Sequence, residues 1–159
     1  IKMRDKKLIN IIIIFSILAI IISSYLLYIH YSTTGSFFCD LSNEFSCDIV
    51  NKSTYSEIFN IPVSLLSLLT FLFILLISFY IKKNREFSGF NKNELVNILI
   101  IFLIFSTLFS LYLVYIELFV LYSICILCVL LDIIIIILLI TAIILKIELK
   151  LSRYIKEIK

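Results

Sequence analysis

The sequence predicts an all-α membrane protein, a bundle of four transmembrane helices with a partly helical outer loop between the first and second. Three observations carry this. The chain is 62% hydrophobic over 159 residues, with two glycines and one proline. A soluble domain would be roughly half apolar. The apolar residues fall into four blocks, Leu8–Ile29, Ile61–Ile81, Leu95–Val120 and Ile124–Ile147, each near the ~20 residues that cross a bilayer core. Positive charge gathers on alternate connections between those blocks.

Within such uniform runs no period separates helix from strand. Lipid decides the matter, because a lone spanning segment satisfies its own N–H and C=O groups only as a helix. Lys2, Arg4, Lys6 and Lys7 precede the first block, as in a signal peptide. The block is longer than a typical signal core, and no small-residue cleavage pattern follows Ile29. It reads as an uncleaved first span. The polar segment from about His30 to Asn60 is the one stretch large enough to build structure above the membrane. Thr54 with Glu57 three residues later reads as a capping box, predicting a short helix before Pro62. Pro62 falls at the start of the second span, where its missing N–H is tolerated. Residues 1–159 read as a single domain.

Charge sets the expected orientation. The basic N-terminus is matched by Lys82, Lys83, Arg85 and Lys92 between the second and third spans. Lys146, Lys150, Arg153, Lys156 and Lys159 follow the fourth. Residues 30–60 carry only Lys52 against Asp40, Glu44, Asp48 and Glu57, and Glu117–Ser123 has no positive charge. The positive-inside bias puts both termini in the cytoplasm and the long loop on the outer side, whether periplasmic, extracellular or lumenal. The net charge of +3 follows from this flanking. No basic stripe with interleaved aromatics is present, which argues against nucleic acid as a partner.

All four cysteines fall on the expected outer side, where disulfides form and persist. Cys39 and Cys47 lie eight apart in the loop, and Cys125 and Cys128 form a C-x-x-C at the outer end of the fourth span. Residues three apart share a helix face, so these two sulfurs can bridge or act in turn. Ser123 reads as an N-cap, putting Cys125 in a first turn whose free amides and dipole favour a thiolate. Cys128 would lie one turn deeper. A thiol relay needs a fixed pair and a movable pair, and the loop pair suits the second role. Two other readings stand beside this one. The loop pair could be a structural disulfide above two inert cysteines, in a non-enzymatic scaffold. Four cysteines could also hold zinc, although the eight-residue gap and the membrane-edge position argue against it.

The segment Ser46-Cys47-Asp48-Ile49-Val50-Asn51-Lys52-Ser53-Thr54-Tyr55, followed by Phe59-Asn60-Ile61-Pro62-Val63, resembles the vitamin K epoxide reductase family. Members have a cysteine pair in the first outer loop, a serine six residues after the second cysteine, and a C-x-x-C opening the fourth helix. Cys39, Cys47, Ser53, Cys125 and Cys128 match that order. DsbB-type quinone reductases also have four helices and four cysteines, but with the C-x-x-C near the second helix. The resemblance runs over essentially the whole chain. It implies a bundle enclosing a quinone of ubiquinone, menaquinone or vitamin K type, with Cys128 nearest to it. It also implies a thioredoxin-like, DsbA-like protein whose electrons reach Cys125 through the loop pair; of the two loop cysteines, Cys47 is the one we expect to reach Cys125. Microbial relatives use this route to drive disulfide formation, whereas vertebrate relatives reduce vitamin K epoxide and quinone. The very short second outer loop fits a microbial relative better. Relatives often have glycine at the positions of Asn60 and Ser67. Many bacterial relatives continue into a fused thioredoxin-like domain, so the chain's end at Lys159 leads us to expect a separate partner protein.

Asp132 is an acidic residue deep in a predicted span, four residues after Cys128 and on the same face. Vertebrate relatives have a quinone-contacting tyrosine there, so the resemblance implies that Asp132 donates a hydrogen bond to a quinone oxygen or relays a proton. The alternative is a buried polar residue bonded to a neighbouring helix. Ser53 reads either as a cap of the loop helix or, by the resemblance, as a quinone neighbour. Glu117 is expected to reach water, and the lone interfacial His30 is assigned no role. Asn51-Lys52-Ser53 matches a glycosylation sequon, a pattern common by chance.

Overall fold

A computed structural model of the chain describes residues 2–33, 39, 45–83 and 91–158. Asp40, Glu44, Arg85 and Lys159, used above for charge, lie outside the described residues, as do the side chains of Lys2 and Lys156. The elements in order are α1 (Lys2–Tyr31), α2 (Cys47–Asn51), a 3-10 turn (Thr54–Ser56), β1 (Glu57–Ile58), β2 (Ile61–Pro62), α3 (Val63–Lys83) and α4 (Lys92–Ile116). A π turn (Glu117–Leu121) and α5 (Ile126–Ile158) complete them. Among the described residues, α1, α3, α4 with its π turn, and α5 are long and apolar enough to cross a membrane. The chain is an integral membrane helical bundle.

The four apolar blocks locate these helices, but their ends differ. α5 runs to Ile158, eleven residues past the predicted limit of 147. Its 33 residues make a rod of about 50 Å, well beyond a hydrocarbon core of about 30 Å. The extra turns keep Ile147, Leu151, Tyr154 and Ile155 at helical spacing among charged residues. Hydropathy marks where lipid ends, and the backbone periodicity continues past it. α1 likewise begins at Lys2, and α3 begins at Val63, one residue after Pro62.

α1 packs against α3 and α5, and α4 packs against α5, while α3 and α4 touch each other much less. The core runs along the first three contacts, through Ile12, Ala19 and Ile29 of α1, Phe71 and Ile74 of α3, Leu99 and Leu103 of α4, and Leu138 and Leu145 of α5. Hydroxyls within the spans mostly bond back to their own helix, as Ser16 to Ile12 O and Ser78 to Ile74 O, both at 2.7 Å. That satisfies a donor without a neighbour. Arg4 and Glu148 pair at the end of the bundle remote from the cysteines, joining α1 to α5.

The loop between α1 and α3 departs from the sequence reading. Thr54 and Glu57 form no capping box. The helix of this loop is instead α2, whose N-cap Ser46 accepts the Ile49 N–H at 3.2 Å. Thr54 opens only a 3-10 turn, and Glu57 begins a two-stranded antiparallel hairpin in which it faces Pro62, with Ile58 facing Ile61. Both residues of the hairpin turn, Phe59 (φ 53°) and Asn60 (φ 63°), are left-handed. Two-residue hairpin turns favour that pair of signs because it matches the strand twist.

His30, given no role from sequence, fastens this loop. Its side chain is buried, with Nδ1 2.6 Å from Asn51 O and Nε2 3.2 Å from a Glu57 carboxylate oxygen. A carbonyl only accepts, so Nδ1 carries a hydrogen. The Asn51 amide in turn donates to Leu26 O at 2.5 Å. Asn51 is buried and engaged, so the sequon is a chance match.

The left-handed turn yields a prediction. Asn visits this region readily, whereas a β-branched residue pays roughly 1–2 kcal/mol there. Asn60→Val is expected to lower the thermal unfolding midpoint in detergent, and Asn60→Gly to leave it unchanged. Equal midpoints for the two variants would show that the turn conformation does not matter to stability.

Candidate functional site

The site forms where the loop meets the start of α5. Phe45, two residues before Cys47, makes a parallel backbone bridge to Ile124, the residue before Cys125. This single bridge holds two remote segments in register. Cys47 then opens α2, and Cys125 stands immediately before α5. Cys39 and Cys47 form one disulfide, with Cα atoms 5.5 Å apart. Cys125 and Cys128 form the other, with Cα atoms 5.1 Å apart. The two bonds touch, since the Cys47 and Cys125 sulfurs are 3.3 Å apart. Cys39, Cys47 and Cys125 are all buried.

Ser123 does not cap α5 as the sequence suggested. Its hydroxyl is buried and finds no partner among the described residues. Cys125 takes the cap position itself. Its carbonyl accepts the Val129 N–H at 3.0 Å, and its sulfur accepts the Cys128 N–H at 3.2 Å. A hydrogen-bond donor aimed at this sulfur favours its anionic form.

Glu117 also departs from expectation. It is 5% exposed, and its carboxylate accepts the Cys125 N–H at 3.1 Å. The cause is a change of helix type. After Ile116 the chain widens into the π turn, which ends at a left-handed Tyr122 (φ 50°). The Ser123 N–H donates back to Glu117 O at 3.2 Å, so the whole link folds over this residue. Sequence reasoning missed it because Glu117 lies near the end of an apolar block. The available signal was a carboxylate within that block, eight residues before the C-x-x-C.

On the other side of Cys128 lies a cavity of about 510 Å³. Its walls come mainly from α3 and α4, which touch each other little, with α5 behind and the loop over one end. The lining is mostly apolar, and Ser53, Glu117, Cys128 and Asp132 are among the polar side chains reaching it. Volume and character match a pocket for one small, largely apolar ligand. Cys125 is not part of this wall. The C-x-x-C thus has one sulfur against the loop disulfide and the other against the cavity.

Asp132 accepts a hydrogen bond from Ser110 of α4. Ser53 donates to Val50 O at 2.8 Å, spending its only hydroxyl hydrogen within the loop. It heads the 3-10 turn but makes no capping bond. Ser67, where relatives often have glycine, lines the cavity and donates to Ser64 O at 2.9 Å.

The sulfurs of Cys39, Cys47 and Cys125 lie within 4.8 Å of one another, although their sequence spacing is not that of zinc knuckles. The metal ligand is the thiolate, and both of the first two sulfurs are committed to a disulfide.

No individually curated protein matches the chain. The sequence profile of the vitamin K epoxide reductase family matches residues 10–143, from within α1 to within α5. Members of that family are membrane oxidoreductases, generally linked to quinones and thioredoxin-like partners. Four spanning helices, a loop cysteine pair and a C-x-x-C at the head of the last helix agree with that match, and the chain belongs to the vitamin K epoxide reductase family.

Proposed function

We propose that the chain is a membrane thiol–disulfide oxidoreductase supporting disulfide bond formation. Electrons pass from a thioredoxin-like, DsbA-like protein through Cys39 and Cys47, then Cys125 and Cys128, to a quinone of ubiquinone, menaquinone or vitamin K type. The observation that carries this reading is the 3.3 Å approach of the Cys47 and Cys125 sulfurs, with Cys128 on the cavity wall behind them.

The exchange chemistry balances. A partner dithiol reduces the loop disulfide, leaving Cys39 and Cys47 as thiols and the partner oxidised. The Cys47 thiolate attacks the Cys125 sulfur, a Cys47–Cys125 bond forms, and the Cys125–Cys128 bond breaks with its electron pair on Cys128. Cys39 then attacks Cys47, releasing Cys125 with the second sulfur-borne charge. The C-x-x-C is now reduced and the loop disulfide restored. Two electrons leave Cys125 and Cys128 for the quinone as their disulfide re-forms. Each attack is in-line thiol–disulfide exchange, whose rate depends on thiolate population and access. The first contact already stands near bonding range.

The cavity suits a quinone head group by size and apolar lining. Its position between α3 and α4 gives a lipid-dissolved ligand a side entry. Asp132 is the residue we assign to a quinone oxygen. A carboxylate inside a span costs up to roughly 2.5–3.5 kcal/mol on insertion scales, the figure for the span's centre. One interhelical hydrogen bond in a membrane returns only about 0.6 kcal/mol on average. Beside that cost the Ser110 bond recovers little, and a contact with a quinone oxygen would add to it. Ser53 contributes to the same wall, and it donates to a quinone only if it releases Val50 O. In this reading the cysteine end faces the outer compartment, both termini face the cytoplasm, and residues 1–159 act as one transmembrane unit.

The test is an anaerobic mix of fully reduced, purified protein with ubiquinone or menaquinone, counting free thiols by alkylation and following quinone absorbance. Thiol loss matched to quinone reduction is expected, and Cys128→Ala should abolish it. Unchanged thiols and unreduced quinone in folded protein would favour a scaffold with structural disulfides. A second prediction concerns affinity. Asp132→Leu should raise the quinone KM roughly 2- to 10-fold, the equivalent of one hydrogen bond. An unchanged KM in both Asp132→Asn and Asp132→Leu would reduce Asp132 to a link between α4 and α5.

A further inference from the structure

Disulfide exchange moves electron pairs between sulfurs and leaves the protons unassigned. On the reading above, Cys39 and Cys47 lose two S–H protons and the quinone gains two. Sulfur itself carries none of them once it is a thiolate. A second path is therefore required between the loop pair and the cavity, and it must run through groups that can hold a proton in a region with little water.

Glu117 occupies that position. It is buried, it is bonded to the backbone N–H of Cys125, and it lines the same cavity as Cys128 and Asp132. Among the described residues it has no cationic partner within ion-pairing distance, while the other pairs lie at Arg4–Glu148, His30–Glu57 and Lys52–Asp48. Accepting one N–H does not require a carboxylate. An asparagine, a glutamine or a backbone carbonyl would serve without burying an ionisable group. Ionisable residues retained inside a membrane protein mark proton or substrate pathways by default.

The backbone supports the same conclusion independently. Glu117 is the first residue of a π turn, a distortion that is rare and frequent at functional sites. A continuous α-helix would turn the next residues differently and would remove the fold-back that brings Ser123 N–H to Glu117 O. The distortion aims this side chain at the C-x-x-C, with the left-handed Tyr122 closing the turn.

We propose that Glu117 carries the protons of the relay, taking each from the loop thiols at the Cys47–Cys125 contact and releasing it on the cavity side. The inference rests on the redox function proposed above. As the Cys47 sulfur bonds to Cys125 and the Cys125–Cys128 bond breaks onto Cys128, the Cys47 proton passes to a Glu117 oxygen. Glu117 is neither oxidised nor reduced. It gives that proton to the Cys128 thiolate on the cavity wall and takes the second when Cys39 closes on Cys47. As the Cys125–Cys128 bond re-forms and two electrons pass to the quinone, one proton leaves Cys128 and one leaves Glu117 for the quinone oxygens. Two protons leave thiols, two reach the quinone, and the carboxylate is restored.

The experiment is steady-state turnover of the full chain in detergent, with dithiothreitol as reductant and a short-tailed ubiquinone as acceptor. Glu117→Gln keeps the size and an oxygen for the Cys125 N–H but cannot exchange a proton. It is expected to lower kcat by about 100-fold or more, the usual scale of general acid–base catalysis. Its quinone KM should stay within about twofold of wild type on the same grounds, because the cavity wall is preserved. The solvent deuterium isotope effect on kcat should rise, and Glu117→Asp should recover part of the lost rate. A Glu117→Gln enzyme turning over within about threefold of wild type overturns the inference. So does a variant set in which KM rises with the loss and Asp is no better than Gln, which would make Glu117 a support for Cys125 only. A wild-type enzyme that moves no electrons from dithiol to quinone would fail differently, overturning the redox reading and this inference with it.

Discussion

The backbone bridge between Phe45 and Ile124 is the contact on which the rest of the cysteine end depends. It joins a loop that lies between the first two spans to a link that lies between the last two. Everything downstream follows from that register. Cys47 and Cys125 emerge on facing strands of chain, within 3.3 Å at their sulfurs. The bridge alone is small, so other contacts hold the loop down. His30 grips Asn51 and Glu57, and Asn51 grips Leu26, which ties the loop to α1 by side chains that have no role in exchange. The result is a loop anchored to α1 both at its hairpin and through α2, the short helix that Cys47 opens.

The bundle supplies the second requirement, separation of the two sulfurs of the C-x-x-C. Cys125 caps α5 and faces the loop disulfide, whereas Cys128 lies within the helix and faces the cavity. Helical spacing does this without further machinery, because a three-residue step is nearly one turn. The cavity exists because α3 and α4 pack mainly against other helices and little against each other. A tightly packed square bundle would have no space at this level.

Much of the fold was legible in the sequence, and for a physical reason. Lipid forces spanning segments into helices and demands apolar length, so Leu8–Ile29, Ile61–Ile81, Leu95–Val120 and Ile124–Ile147 each mark a real helix. Helix ends were less legible, since hydropathy stops at the membrane surface while α5 continues to Ile158. The loop was least legible. Thr54 and Glu57 have the spacing of a capping box, yet Ser46 holds the cap and Glu57 pairs with His30. Local patterns compete, and tertiary contacts choose among them. Glu117 was misread for the same reason. Its sequence position near a span end implied water, but a π turn redirects it inward. The four cysteines were identifiable from placement and order, whereas their mutual approach depends on a bridge between Phe45 and Ile124 that no local pattern announces.

Trapping the proposed bond between Cys47 and Cys125, where electrons would cross from loop to bundle, is the sharpest check of the relay. With Cys39 and Cys128 both replaced by serine, Cys47 and Cys125 have no other partners in the chain. Mild oxidation in membranes should join them nearly completely, detected as a cross-linked peptide by mass spectrometry. The matched variant, with Cys47 and Cys128 replaced, should join Cys39 to Cys125 poorly. Efficient joining of Cys39 to Cys125, with Cys47 left free in the first variant, would show that electrons do not cross at Cys47.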